Sequence, residues 1–235
     1  MAGLVLGYAA DQLWGDPRRF HPVAGFGALA QRLERRSYRD GRGAGALHVG
    51  VLVGGTVAVG AVLQRAVDRS PILSMLATAA ATWMVLGGRS LSREADTLSS
   101  QLAAGDLAAA RIQVTHLVGR DTSQLDADEV ARACVESLAE NTSDAVVAPL
   151  LWGAVAGIPG LVGYRAINTL DAMIGHRSPR YLRVGWAAAR IDDVANWIPA
   201  RMSGLATALA APVVGGTAAE AWDAMRTGAH QHPSP

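Results

Sequence analysis

A chain of 235 residues that is half hydrophobic, only 17% charged and 5% aromatic takes its apolar character from Ala, Val, Leu and Gly, which points to helices in lipid rather than a sandwich core. Its formal net charge of +1 gives no argument for a nucleic-acid partner. All 21 cationic side chains are Arg, which excludes a Walker-type or Schiff-base lysine, and Cys134 is the only cysteine, which excludes an internal disulfide and a CxxC metal site.

In chain order, Met1 to Ala10 is too short to span a bilayer and lacks the basic start and cleavage pattern of a signal peptide. It is expected to extend through Leu13 as a packed or partly inserted helix. Trp14-Gly-Asp16-Pro17 and His21-Pro22-Val23 follow as a turn-rich segment, where Asp16 and His21 either satisfy turn backbone or contact a ligand. Crossing about 30 Å of hydrocarbon takes about 20 helical residues, and four stretches have that length: Gly43 to Leu63, Ser70 to Gly88, Ala145 to Tyr164, and Met202 to Ala219. Between Arg18 and Arg42 seven Arg face only Glu34 and Asp40, so the positive-inside rule keeps this loop cytoplasmic, with Gln64 to Arg69 outside and Arg89 to Asp144 inside.

A full crossing by Ala145 to Tyr164 would export Arg165 to Arg201, a loop with six Arg and three Asp. That stretch contains Pro149, Gly153, Gly157, Pro159, Gly160 and Gly163, which break or kink helices and are tolerated at membrane depth where protein covers the freed backbone. A broken or re-entrant segment near 145–164 is therefore expected, with both polar loops on one side. The fold class is all-α: a single polytopic helical membrane domain over 1–235 with a polar, cytoplasmic, helical insert at 89–144.

Within the insert, Gln124 to Asn141 aligns Val130, Ala133, Cys134, Ser137 and Leu138 on one stripe, with Thr122 or Ser123 available as cap. On the other face Arg132, Glu136, Glu140 and Asp144 recur every four residues, so an intact helix would stack a guanidinium and three carboxylates in a row. A solvated face explains such a row on a soluble helix. Here it runs into an apolar segment, where acids are costly unless paired, hydrated or bound to a hard cation such as magnesium. A second cluster places Arg165, Asn168 and Asp171 along one helical side; capping and ordinary charge pairing are the bland alternatives. In the third, Asp192 and Asn196 are i,i+4 neighbours while Asp193 points about 100° away.

Five strings in series carry a resemblance that covers nearly the whole chain: Gly15-Asp-Pro17 with His21-Pro-Val23, Val118-Gly-Arg-Asp-Thr122, Glu136-Ser-Leu-Ala-Glu-Asn-Thr-Ser-Asp144, Asn168-Thr-Leu-Asp-Ala-Met-Ile-Gly175, and Ala189-Arg-Ile-Asp-Asp-Val-Ala-Asn196 with Pro199-Ala-Arg201. Together they resemble the adenosylcobinamide-phosphate synthase family of cobalamin biosynthesis (CobD/CbiB). The family pattern usually has Gly where Ala145 stands and Tyr-Lys where His176 and Arg177 stand. Family members also typically continue beyond a Ser-Pro step such as Ser234-Pro235, so the chain is expected to be a truncated form.

The resemblance implies an ATP-dependent amide ligase in the cell inner membrane, joining aminopropanol or its phosphate to adenosylcobyric acid, with magnesium as metal and room for an additional subunit. It implies catalytic roles for Glu136, Glu140, Asn141, Asp144, Asp192, Asp193 and Asn196, with Glu140, Asp144 and Asp192 as metal ligands. Asp16, His21, Arg120, Arg165, Asn168, Asp171, Arg190 and Arg201 are the implied substrate contacts. Two rival readings are a magnesium-dependent membrane prenyl or phospho-alcohol transferase, whose usual aspartate spacing is absent, and a non-enzymatic membrane sensor, against which the dense polar clusters argue.

Overall fold

The structure, a computed structural model, describes residues 1–15, 21–119 and 121–228. Among them every regular element is helical. Gly3 and Gly7, one turn apart on α1 (Ala2–Trp14), bring its backbone against Met75, Thr78 and Thr82. These belong to α4 (Pro71–Val85), and the matching order of contacts makes the two helices run side by side in one direction, a small-residue packing suited to lipid. α2 (Pro22–Ser37) lies across the bundle, and α3 (Arg42–Val67) returns into α4 through a short turn where the Ser70 hydroxyl accepts from the Leu73 N–H. Three helical stretches, Arg42–Val67, Pro71–Ala103 and Ala127–Gly175, are long and apolar enough to cross a membrane. Leu47, Val59, Val62, Val155 and Leu209 point outward, an exposure that lipid satisfies. The chain is a polytopic helical membrane protein.

The third stretch does not run straight. α8 (Ala148–Leu170) reverses at Gly157, whose φ of 65° and ψ of −144° lie outside helical space, and Pro159 follows immediately. The Gln64 side chain of α3 accepts from the Ile158 N–H at 3.1 Å and so caps the second arm. Gly160 packs against the Trp152 carbonyl and Gly153 against Leu161, which brings residues 148–156 and 158–170 together as a hairpin. Its tip reaches the level of the turn between α3 and α4. Its two ends return to one end of the molecule, as the broken segment anticipated.

The polar insert folds as α5 (Gly88–Ala103), α6 (Leu107–Val114) and α7 (Ala127–Thr142) around Leu98, Ala110, Val114, Val130, Ala133 and Cys134. The start of α7 differs from expectation. Asp126, not Thr122 or Ser123, caps it, in a capping box with Glu129. Thr122 instead donates to the Arg111 carbonyl, and the Ser123 N–H is held by Asp121. That bond holds the exposed Asp121 carboxyl below the usual carboxylate range. The insert is tied to the bundle by Asp11, fully buried, whose carboxylate accepts from the Arg89 N–H at 3.2 Å.

The fourth expected span is not continuous. α9 (Trp186–Ala210) ends in a 3₁₀ turn, Ala211–Val214, because Pro212 cannot continue the ladder and Gly215 turns left-handed at φ 85°. Residues 202–219 therefore divide between the end of α9, this turn and the start of α10 (Ala218–Gly228).

Candidate functional site

Both arms of the hairpin carry a wide π-helical turn at the end where they meet the insert: Ser143–Val147 ahead of α8 and Asp171–Gly175 after it. Such turns shift the register of everything beyond them and recur at functional sites. Each contains an acid. Because the first turn interrupts α7, the expected continuous row breaks: Arg132, Glu136 and Glu140 stay on the exposed face of α7, while Asp144 turns half-buried toward α8 and α9.

Asn168 donates to Asp144 across the hairpin at 3.1 Å. Tyr164, buried one turn before Asn168, donates its hydroxyl to Asn196 Oδ1 at 2.8 Å and also faces Asp144. Asn196 passes the chain on, donating its amide to Asp192 Oδ2 at 2.9 Å. The second oxygen of Asp192 is buried with no hydrogen-bond partner. Asp171 lies near enough for its charge to act on Asp192 and Asp193, and Asp144 acts on Asp192 as well. Gly175 is required here, since a Cβ would run into the Asp171 carboxylate. Three carboxylates from three separated segments, Asp144, Asp171 and Asp192, thus share one partly buried pocket, joined by Tyr164, Asn168 and Asn196.

The remaining expected residues fall around this pocket or away from it. Glu140, exposed at the end of α7, acts on Asp144 and Asp171 from the rim. Glu136 lies one turn further out, and Asn141 turns back to the Ser137 carbonyl and hydroxyl. Asp193 pairs with Arg190 at 3.2 Å, and both line a neighbouring cleft of about 920 Å³. Arg165 is half-buried and lines a small apolar cavity of about 120 Å³ with Pro22 and Phe26. Arg201 is exposed and folds over Trp197 of its own helix at 4.0 Å, so it is not brought to the cluster. His21 caps α2, its Nδ1 accepting from the Val23 N–H at 3.2 Å, which is the structural of its two readings. Asp16 and Arg120 lie outside the described residues. Among the described residues no three His, Cys, Asp or Glu side chains stand at ready-made metal-ligand spacing.

Sequence reasoning missed Tyr164. Its signal is a phenol placed four residues before Asn168 in a segment otherwise built of Gly, Ala, Leu, Ile and Val. A buried hydroxyl there needs a polar partner.

The profile of the CobD/Cbib protein family matches residues 4–235. The chain belongs to the CobD/CbiB family. It is 53% identical over 233 residues to the cobalamin biosynthesis protein CobD of Mycobacterium tuberculosis, covering 99% of this chain and 74% of that one. The CobD proteins of Rhodobacter capsulatus and Geobacter metallireducens are 47% and 43% identical, over 92% and 96% of this chain and 68% and 72% of theirs. No solved structure matches the chain at a significant level. CobD/CbiB membership accounts for the order of the five polar strings, which supply Asp144, Asn168, Asp171, Asp192 and Asn196 to the pocket.

Proposed function

We propose that this chain is an ATP-dependent amide ligase of cobalamin biosynthesis, joining aminopropanol or its phosphate to adenosylcobyric acid to give adenosylcobinamide or its phosphate. The observation that carries the reading is the meeting of Asp144, Asp171 and Asp192 at one end of the bundle, with Asp192 Oδ1 buried and lacking a donor. Family membership, with relatives named cobalamin biosynthesis proteins, supplies the corrinoid class of substrate.

Magnesium fits these residues. An unpartnered buried carboxylate oxygen with two further acids beside it is costly unless a cation balances it, and hard oxygen donors suit that ion. Asp192 and Asp144 would hold it, with Asp171 and Glu140 near enough to assist, and when bound it would shield polyphosphate charge.

A carboxylate resists amine attack because its oxygen is a poor leaving group. The corrinoid carboxylate oxygen attacks the γ-phosphorus of ATP, ADP leaves, and an acyl phosphate forms. The amine nitrogen then attacks the carbonyl carbon, the C–O bond to phosphate breaks, and the nitrogen's proton passes to a carboxylate. Glu140 and Asp193, the less buried acids, are placed to take it. Tyr164 and Asn196 orient Asp192 through their hydrogen bonds. The site opens, on this reading, toward the cytoplasmic face of the cell inner membrane.

The test is amide formation by the purified protein in lipid nanodiscs, with adenosylcobyric acid, ATP, magnesium and each amine omitted in turn. Product is expected only in the complete mixture. Product formed without ATP, or none with either amine, would overturn the reading.

A further inference from the structure

Beside the acid pocket, Arg42, Arg177, Arg183 and Arg190 line a single cleft together with His176 and Trp186. They come from α3, the 176–185 connection and α9, so no local pattern announces the grouping. We infer that this cleft is a polyphosphate site that takes the triphosphate of a nucleotide; the choice of a nucleotide rests on the ligase reading, whereas the polyphosphate chemistry rests on the cleft itself.

Charge is the first argument. Four guanidiniums meet one lining carboxylate, Asp193, in an exposed pair with Arg190, and Arg183 reaches Asp40 only at 3.9 Å. Among the described residues Arg177 has no ion-pair partner, and Arg42 lies over the Trp186 ring at 5.3 Å. Gathering like charges without counter-charge is unfavourable, and an anion bearing several charges removes the cost. In a chain with no Lys, guanidiniums are the available phosphate donors, and they grip phosphate oxygens two at a time. The N-terminus of the 25-residue α9 begins at Trp186 on the cleft wall and adds its positive dipole end.

Size and rigidity agree. About 920 Å³ lies in the range of small-molecule sites, roughly 300–1,000 Å³, and exceeds what one phosphate group fills. The wall is held in place from behind: buried Glu34 accepts from Arg180 Nη2 at 2.9 Å, Arg180 Nε at 3.2 Å and the Tyr181 hydroxyl at 3.1 Å. Gly45 packs directly on the Val184 carbonyl and Gly185 on the Ile174 carbonyl, contacts that any Cβ would block. Preorganised donors lose less entropy on binding. Asp193 and Gly175 on the cleft wall adjoin Asp171, so a polyphosphate here ends beside the acid pocket.

An anionic lipid headgroup shares the phosphate chemistry, and Arg and Trp commonly sit at membrane interfaces. Four arginines exceed what one phosphodiester needs, and the neighbouring acids require a ligand that brings its own cations.

The experiment is equilibrium binding of ATP, and separately of inorganic tripolyphosphate, to the protein in nanodiscs of zwitterionic lipid with magnesium. Arg42→Gln and Arg177→Gln alter exposed side chains and leave the core intact. Each should weaken both probes at least about tenfold, because a charge-assisted contact to phosphate is lost. Arg177→Lys should recover part of the loss. Arg35→Gln, an exposed change on α2 outside the cleft, should have no effect. Unchanged affinity in both glutamine variants would overturn the inference. So would competition of phosphatidylglycerol nanodiscs for the cleft with no binding of either soluble probe. Tripolyphosphate binding that depends on these arginines, in a protein that forms no amide, would uphold the cleft and sink the ligase reading. Amide formation with unaltered ATP affinity in both variants would do the reverse.

Discussion

Asp192→Asn separates the chemistry of the pocket from its stability. The wild-type side chain is 9% exposed, takes one hydrogen bond from Asn196 at 2.9 Å, and leaves Oδ1 without a donor. Asn has the same shape, keeps an oxygen for Asn196 and removes the charge. Two carboxylates about 6 Å apart repel by about 3 kcal/mol at an effective dielectric of about 20. Asp144 and Asp171 both act on Asp192, so after relaxation the metal-free fold should gain on the order of 1–3 kcal/mol. In a chain of this size that raises Tm by about 2–10 °C. Turnover should fall at least about a hundredfold, or about 2.7 kcal/mol of transition-state stabilisation. Magnesium at about a hundred times its Kd stabilises a binding protein by about 2.7 kcal/mol, and the variant should lose most of that gain. Thermal unfolding in nanodiscs at pH 8, with and without magnesium, and an amide-formation assay read all three effects. A variant with normal turnover, or one that magnesium stabilises as strongly as wild type, would refute the assignment of Asp192 to the metal and the chemistry.

Other perturbations probe the frame around the pocket. Gly157→Ala places a Cβ 2.8 Å from Gln64 Oε1 at a φ of 65°, and should lower stability by about 1–3 kcal/mol in thermal unfolding; an unchanged Tm would mean that the hairpin tip is held differently. Glu34→Gln weakens the bonds to Arg180 and Tyr181, and because Arg180 is half exposed the loss should be only about 1–2 kcal/mol, with faster protease cleavage within 176–185 as the local readout. Cleavage at the wild-type rate would show that Glu34 does not hold the loop. In a Cys134→Ala background, single cysteines at Ala104 and Ser178 should react with a membrane-impermeant maleimide from the same side. Labelling from opposite sides would contradict the hairpin.

What could be read in the sequence divides along physical lines. Helix breakers announce themselves in any context, so Pro149, Gly157 and Pro159, together with an arginine-rich loop stranded on the wrong side, are enough to expect a reversal between 145 and 164. The stripe of Val130, Ala133, Cys134 and Ser137 is buried as its spacing required. By contrast, Pro212 and Gly215 sit in apolar surroundings that hide a helix end from hydropathy alone. The π-helical turn at Ser143–Val147 leaves the spacing of four intact on paper while turning Asp144 away from Glu136 and Glu140. Asp144, Asn168, Asp192 and Asn196 could be named because each stands in a dense polar string. Their hydrogen-bond order, with Tyr164 between two of the strings, depends on how the hairpin arms meet α9 and has no local signature. The arginine cleft is hidden for the same reason, since Arg42 and Arg177 are far apart in the chain and each alone reads as a loop charge.

The measurement that tests the central claim most directly follows the oxygen of the substrate. Adenosylcobyric acid labelled with oxygen-18 in its free carboxylate, incubated with the protein, ATP, magnesium and aminopropanol phosphate, should yield the amide, ADP and inorganic phosphate, with one labelled oxygen carried into the phosphate. Absence of amide, or amide formed with phosphate free of label, would contradict a ligase that activates the carboxylate as an acyl phosphate.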